Sequence, residues 1–160
     1  MDNFKIEYVH KLLYSENKEE VISEIEGISD SKLLHGISDS KLLHVIAGNY
    51  NWDNGFDIPY SIINNNNCDL GTALMIFYNA DGYRVLENKD ELKNPNLEQW
   101  SNFISEIENR ILNNKFRYNN IKFIPPLTKI QIFKLKKNNS NIDKVFLEES
   151  NGEVIEMPII

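Results

Sequence analysis

Apolar residues recur every three or four positions through most of the chain, a pattern typical of amphipathic helices. The spacing predicts one or two helices over residues 4–26, with a break over residues 15–18. Further helices are predicted to begin at Asp57, Asp69 and Asn96. The helix after Asp69 is apolar on almost every side, which indicates a buried helix. The last helix has the clearest apolar stripe: Leu97, Trp100, Phe103, Ile104, Ile107 and Ile111.

Residue types near the helix ends predict how the helices start and stop. Asn96 and Gln99 have the spacing of a capping box, in which each side chain bonds the other residue's backbone. Gly82 follows the Asp69 helix, and a glycine there is predicted to end it in the left-handed conformation. These signals support a series of separate helices rather than one long helix.

The apolar pattern changes its period after Pro125 and Pro126. Ile130, Ile132 and Leu135 are separated by polar residues, and this near-alternation predicts a strand. Farther on, residues 144–149 and 153–157 flank Asn151-Gly152, a dipeptide that favours a tight turn between paired strands. The sequence therefore predicts a small antiparallel β element near the C-terminus.

The predicted fold class is α+β, a mainly α-helical domain with a small C-terminal antiparallel β element. The helical domain is expected over residues 1–114. Residues 115–160 are expected to form a basic segment and an antiparallel β hairpin or sheet packed on it. Whether those strands pair within the chain or with another chain is left open, as is the oligomeric state.

A nine-residue unit, residues 27–35, is repeated without change as residues 36–44. Inside one continuous helix the extra unit would turn everything after it by roughly half a turn. We therefore predict a break at Gly36, with Ser29 and Ser38 capping two short helices. A recent duplication that the surface tolerates is favoured over a functional repeat.

Charge is distributed unevenly along the 160 residues, which carry a formal net charge of −7. An acidic surface favours a basic partner and repels nucleic acid and anionic membranes, so the sequence predicts a protein partner, no membrane partner and no preference for nucleic acid. From Arg110 to Asn141, however, there is no Asp or Glu. Nucleic-acid binding through Lys115–Lys137 is therefore kept as an alternative, although lysines also commonly solvate or protect a strand. The basic residues after Arg110 in this segment are Lys115, Arg117, Lys122, Lys129, Lys134, Lys136 and Lys137.

The sequence predicts no cofactor, no metal site and no catalytic residues. The single cysteine, Cys68, excludes an intrachain disulfide, and no histidine or cysteine pair has the spacing of a zinc site. Cys68 with His44 could supply a nucleophile and a base, but a structural role for both is favoured. Without a signal peptide or an apolar run of about 20 residues, the expected location is cytoplasmic.

The loop from Tyr50 to Asp57 combines aromatic and acidic residues. Aromatic side chains are favoured at the centres of binding interfaces. The loop is therefore the candidate binding site, with a competing interpretation in which its aromatic residues only pin the loop to the core. The candidate residues are Tyr50, Trp52, Asp53, Phe56 and Asp57.

Two stretches resemble a bacterial family of unknown function, number 4274 among the domains of unknown function. They are Asn49-Tyr50-Asn51-Trp52-Asp53-Asn54-Gly55-Phe56-Asp57-Ile58-Pro59 and Asn67-Cys68-Asp69-Leu70-Gly71-Thr72-Ala73-Leu74. The resemblance spans about residues 38–83 and also takes in His44, Phe77 and Ala80-Asp81-Gly82. It implies a small helical domain and no known activity. Members resemble small acidic proteins encoded near polymorphic toxin genes, which suggests an immunity role.

These observations lead to one preferred function and two alternatives. The preferred function is a non-catalytic protein-binding module, a cytoplasmic immunity or regulatory protein whose acidic face binds a basic protein. The first alternative is an enzyme or small-molecule binder that uses the Tyr50–Asp57 loop. The second alternative is the nucleic-acid binder that uses Lys115–Lys137.

Overall fold

The structure, a computed structural model, describes residues 3–28 and 39–158. In these ranges the chain forms eight α-helices, joined by loops and short 3₁₀ turns. None of these helices is both long and apolar enough to cross a bilayer. The helices are α1 (Asn3–Leu13), α2 (Lys18–Glu26), α3 (Asp39–Gly48), α4 (Asp57–Asn64), α5 (Leu70–Asn79), α6 (Tyr83–Glu87), α7 (Glu98–Leu112) and α8 (Lys129–Asn138).

Helix α5 lies at the centre of the fold, between α3 and α7, while α2 packs against α4. Its residues from 71 to 77 are all buried, as its nearly continuous apolar sequence predicts. The apolar stripe of α7 is confirmed for Trp100, Phe103 and the three isoleucines that follow, which are all buried. The predicted break between the first two helices is also confirmed, and Asn17 caps α2 by accepting the backbone N–H of Glu20.

The prediction of a C-terminal β element is wrong, because no residue of 3–28 or 39–158 lies in a β-strand. The segment predicted as a strand is helix α8. A capping box starts it: the backbone N–H of Gln131 donates to Thr128 Oγ1 at 3.2 Å, and that of Thr128 donates to Gln131 Oε1 at 2.9 Å. Within α8 only Leu135 is buried. A short helix with one buried position imposes no 3.6-residue repeat, so a chance alternation looked like a strand.

The predicted hairpin at Asn151-Gly152 is also wrong. Gly152 does have a positive φ of 104°, as a tight turn would require. However, this turn places Glu153 beside residues 120–122 in an isolated parallel bridge, not beside residues 144–149. The backbone N–H of Glu153 donates to Asn120 O at 2.9 Å. Glu153 thus pairs with a segment about 30 residues earlier in the chain, which a local turn signal cannot identify.

Two predicted helix ends also differ from the structure. Gly82 has an ordinary φ of −63°, and the left-handed residue after α5 is instead Asp81, with φ of 61°. Asn94, not Asn96, caps the next turn, a 3₁₀ turn over Pro95–Leu97, and α7 begins only at Glu98. The predicted break at Gly36 and the Ser29 and Ser38 caps lie outside the described residues.

Candidate functional site

The aromatic residues of the candidate loop pack against helix α7. Phe56 stacks on Phe103 of α7 with 5.0 Å between ring centroids, and Tyr60 of α4 meets the same ring edge-on at 4.8 Å. Trp52 lies edge-on to the buried Tyr50 at 5.5 Å. Such aromatic contacts stabilise the loop beyond the effect of burial alone. The loop is therefore held rigidly on the core.

Hydrogen bonds close the Tyr50–Asp57 loop, and both of its carboxylates are exposed. The Tyr50 hydroxyl donates to Gly55 O at 2.9 Å, and Asn51 Oδ1 accepts the backbone N–H of Asp53 at 3.1 Å. The Asp57 side chain forms an ion pair with Lys18 of α2. Asp53 is exposed and makes no ion pair with any residue in 3–28 or 39–158. The five residues chosen from the sequence are thus together in space, but the aromatic and acidic ones have different roles.

An open groove, here called the α4–α7 groove, runs from this loop along the space between α4 and α7. Its first part has a volume of about 490 Å³ and its second part about 570 Å³, and Tyr60 and Asn102 line both. The residues around the first part are Lys18, Asp53, Asn54, Gly55, Phe56, Asp57, Tyr60, Gln99 and Asn102. Those around the second part are Tyr60, Asn64, Asn102, Ser105, Glu106, Asn109 and Arg110.

Arg110 holds the far end of this groove in shape. Its Nε donates to Glu106 Oε1 at 2.6 Å, which is one helical turn away. Its other nitrogens donate to Ile63 O at 2.9 Å and Asn64 Oδ1 at 2.5 Å, at the end of α4. Because the guanidinium donates both to a backbone carbonyl oxygen in the last turn of α4 and to the Asn64 side chain, Arg110 ties α4 to α7. The spacing of the groove walls is therefore fixed by a side chain that the sequence did not single out.

The tyrosines beside the groove remain protonated hydrogen-bond donors. Burial, together with the nearby Asp57 carboxylate, raises the pKa of Tyr50 to about 12. Burial and the charge of Glu106 also raise the pKa of Tyr60. Neither phenol can therefore act as a base near neutral pH, and their chemistry is that of donors and aromatic surfaces.

The nucleophile and base considered for an enzyme are both buried in the core. His44 is buried, its Nδ1 lies 3.0 Å from Thr72 Oγ1, and burial lowers its pKa to about 4. Cys68 is fully buried, and its burial raises the pKa of the thiol, which leaves it unreactive. Neither residue lines the α4–α7 groove. Residues 3–28 and 39–158 also contain no group of three side chains that could hold a metal ion.

Comparison with known families assigns the central part of this chain. The model of the domain of unknown function DUF4274 matches residues 38–112. This part of the chain is a DUF4274 domain. The match confirms the resemblance seen in the sequence and extends it past Tyr83 to the end of α7. No curated protein and no solved structure gives a significant match.

Two polar side chains before and at the start of α5, Asn65 and Asp69, have structural roles in this protein. Asn65 Nδ2 donates to Ile25 O at 2.8 Å and Ile28 O at 2.9 Å, which fastens the end of α2. Asp69, which is fully buried, caps α5 by accepting the backbone N–H of Gly71 at 2.8 Å. Sequence reasoning identified Asp69 as a cap but missed its contact with the distant residue Asn120, since no local pattern signals such a contact.

Sequence reasoning also missed the polar wall that α7 contributes to the groove of the DUF4274 domain. Gln99, Asn102, Glu106 and Asn109 follow each other at intervals of three and four residues, opposite the apolar stripe. This spacing places them on one face of the helix. The signal was therefore present in the sequence. However, most amphipathic helices have a polar stripe, and the stripe alone does not show which other segment lies opposite it.

Proposed function

We propose that this protein is a non-catalytic binding module that holds a basic segment of a protein partner in the α4–α7 groove. The observation that carries this proposal is the combination of exposed carboxylates with an aromatic floor. Asp53 and Asp57 are exposed, and they line the first part of the groove together with Phe56 and Tyr60. A partner's lysine or arginine would be attracted by both the carboxylates and the ring faces.

The charge of the family domain supports a basic partner. Residues 38–112 contain 11 Asp and Glu against 5 Lys and Arg. Lys18 pairs with Asp57 of the loop, and more than 40% of its side chain is exposed to solvent. Because exposed ion pairs contribute little stability, an incoming cation can displace Lys18 from Asp57 at small cost. An immunity or regulatory protein of the bacterial cytoplasm that binds a basic target is the role most consistent with these features.

The test is affinity capture of the tagged protein from its native lysate, with quantitative mass spectrometry. The groove variant is Asp53→Lys/Asp57→Lys, and the matched control is Glu148→Lys/Glu156→Lys, which makes the same charge change on exposed residues outside the groove. We expect one stoichiometric basic protein that is retained by the control and lost by the groove variant. Equal capture by both variants, or no stoichiometric partner, would contradict the proposal.

A further inference from the structure

Helix α8 presents its apolar side chains to solvent as well as to the protein. Ile130 is 68% exposed and Phe133 is 67% exposed, whereas Leu135 is buried at 2%. At 100° per residue, Phe133 and Leu135 lie on opposite sides of the helix, and Ile130 lies near Phe133. The outermost face of α8 therefore carries two exposed apolar side chains, here called the apolar ridge, with Lys137 between them.

Lysines surround this ridge on both sides. Lys134 lies on one flank, Lys129 and Lys136 lie on the other, and Lys137 lies between the two apolar side chains, as their positions on the helix require. All four lysines are exposed. The Glu87 carboxylate on the neighbouring α6 already has a partner within its own helix, because it accepts a hydrogen bond from the Tyr83 hydroxyl at 2.7 Å. The face thus joins a small apolar ridge to a strong local positive charge.

We propose that α8 docks this protein on an anionic lipid surface. The ridge of Ile130 and Phe133 would enter the boundary between headgroups and acyl chains, and the lysines would lie among the anionic headgroups. The long lysine side chains can keep their charges at headgroup level while their methylene groups follow the apolar ridge. This inference concerns a different surface from the groove and does not depend on the proposed function.

The charge distribution supports an oriented attachment, although the whole chain is acidic. Residues 1–109 contain 19 Asp and Glu against 8 Lys and Arg, while residues 110–141 contain no carboxylate side chain. An anionic surface attracts the second region and repels the first. Because charges farther than about 10 Å are largely screened at moderate salt, the lysines nearest the surface dominate the interaction.

Other occupants fit this face less well. A second copy docked through the same face would place four lysines against four lysines, which is unfavourable. A helix that fills a protein groove usually has apolar anchors over two turns, but positions four and seven after Ile130 are Lys134 and Lys137. In nucleic-acid binding, the ridge would face phosphates and polar base edges rather than apolar material.

The experiment is flotation of the full-length protein with large vesicles of phosphatidylglycerol and phosphatidylcholine in equal parts, and with vesicles of phosphatidylcholine alone. We expect salt-sensitive binding to the anionic vesicles only. Each lysine near the surface strengthens binding about fivefold, so Lys134→Gln/Lys137→Gln is expected to weaken it about 30-fold. The matched control, Lys11→Gln/Lys93→Gln, removes two exposed lysines from other helices and turns and is expected to change binding less than threefold.

The apolar ridge is tested by a second pair of variants. Ile130→Ser/Phe133→Ser is expected to weaken vesicle binding at least tenfold, while Leu112→Ser/Val154→Ser, at two exposed apolar positions outside α8, leaves it unchanged. Circular dichroism confirms that each variant is folded. A Phe133→Trp variant is expected to show fluorescence quenching by brominated acyl chains.

Three results would overturn the proposal. They are no flotation of the unchanged protein with anionic vesicles, equal binding by the ridge variant, and tight binding to duplex DNA or polyglutamate in place of vesicles. None of them bears on partner capture by the α4–α7 groove, because that test uses different residues and a different measurement.

Discussion

The carboxylate of Asp69 accepts the backbone N–H of Asn120 at 2.7 Å, across a separation of 51 residues. The same carboxylate accepts the N–H of Gly71 at 2.8 Å and that of Ile121 at 3.3 Å. Asp69 is fully buried, and a buried charge is tolerated only when hydrogen bonds replace its lost hydration. One side chain therefore caps α5 and fastens residues 120–121 across the start of that helix.

The variant Asp69→Asn is expected to lower the free energy of unfolding by about 2–3 kcal/mol. An amide oxygen can still cap α5, but the amide nitrogen would then face the N–H of Asn120, donor against donor. Urea denaturation measures the loss, and hydrogen exchange of Asn120 and Ile121 locates it. The control is Asp53→Asn, at an exposed carboxylate, which is expected to have little effect. Equal stability of the two variants would contradict this role for Asp69.

The variant Gly71→Ala is expected to destabilise the protein, although alanine favours helices by about 1 kcal/mol over glycine. A Cβ atom at Gly71 would lie 2.0 Å from Ile121 O, which is backbone and cannot move aside alone. We expect a net loss of about 1–3 kcal/mol in thermal or urea unfolding. Gly48→Ala is the control at another close contact, where the Cβ would meet the flexible side chain of Met157, which can move aside. A stabilised Gly71→Ala variant would show that the Ile121 backbone does not lie against the first turn of α5.

Protonation of His44 is expected to destabilise the fold below about pH 6.5. Burial lowers the pKa of His44 in the folded protein to about 4, whereas an unfolded histidine has a pKa near 6.5. The neutral His44 ring therefore makes its full contribution to the free energy of unfolding above pH 6.5. That free energy falls by up to about 3 kcal/mol as the pH falls from 6.5 toward 4.

The measurement for His44 is the stability of the protein and of His44→Gln at several pH values. Carboxylates also titrate at low pH, so the informative quantity is the difference between the two pH profiles. NMR titration of the His44 ring gives its pKa directly. A midpoint near 6.5, or parallel profiles, would argue against the buried neutral imidazole.

Cys68 is expected to resist thiol reagents in the folded protein. The side chain is fully buried and its thiol pKa is raised, so little thiolate forms and no reagent reaches it. Iodoacetamide labelling followed by mass spectrometry is expected to show full modification in concentrated guanidinium chloride and almost none in buffer. Rapid labelling of the native protein would reveal a reactive thiol and would reopen the enzyme alternative.

The variant Arg110→Lys is expected to loosen the α4–α7 groove. Lysine keeps the positive charge but lacks the fork that reaches Glu106, Ile63 and Asn64 together. We expect a loss of about 1–2 kcal/mol in urea unfolding and faster hydrogen exchange at the end of α4. Lys93→Arg, at an exposed surface ion pair, is the control and is expected to change nothing measurable.

Most of the helical domain could be predicted from the sequence because its signals are local. The stripe from Trp100 to Ile111 repeats with the period of a helix that buries one face, and Asp69 has a side chain that can accept the free backbone N–H groups of a helix's first turn. Helix α8 was missed because its buried face consists of Leu135 alone. The periodic signal is weak there, and the capping pair Thr128 and Gln131 was the better guide.

For the candidate site, the sequence identified the loop residues but not the surface they belong to. Trp52 and Phe56 pack on the ring of Phe103, about 50 residues away, so the aromatic side chains are partly used in holding the loop. The groove lies between two helices that Arg110 of α7 joins by a hydrogen bond to Ile63 O of α4, a contact across 47 residues.

The sequence by itself determined the family, the helical character of residues 38–112 and the acidic and basic halves of the charge pattern. These depend on residue types and on spacings within a few turns. Only the tertiary structure decided that Asn120 meets Asp69, that residues 120–122 meet Glu153, and that Phe133 faces solvent. Each of these depends on contacts between segments far apart in the chain, whose pairing is selected by packing and by satisfying buried polar groups, and no short stretch of sequence contains that information.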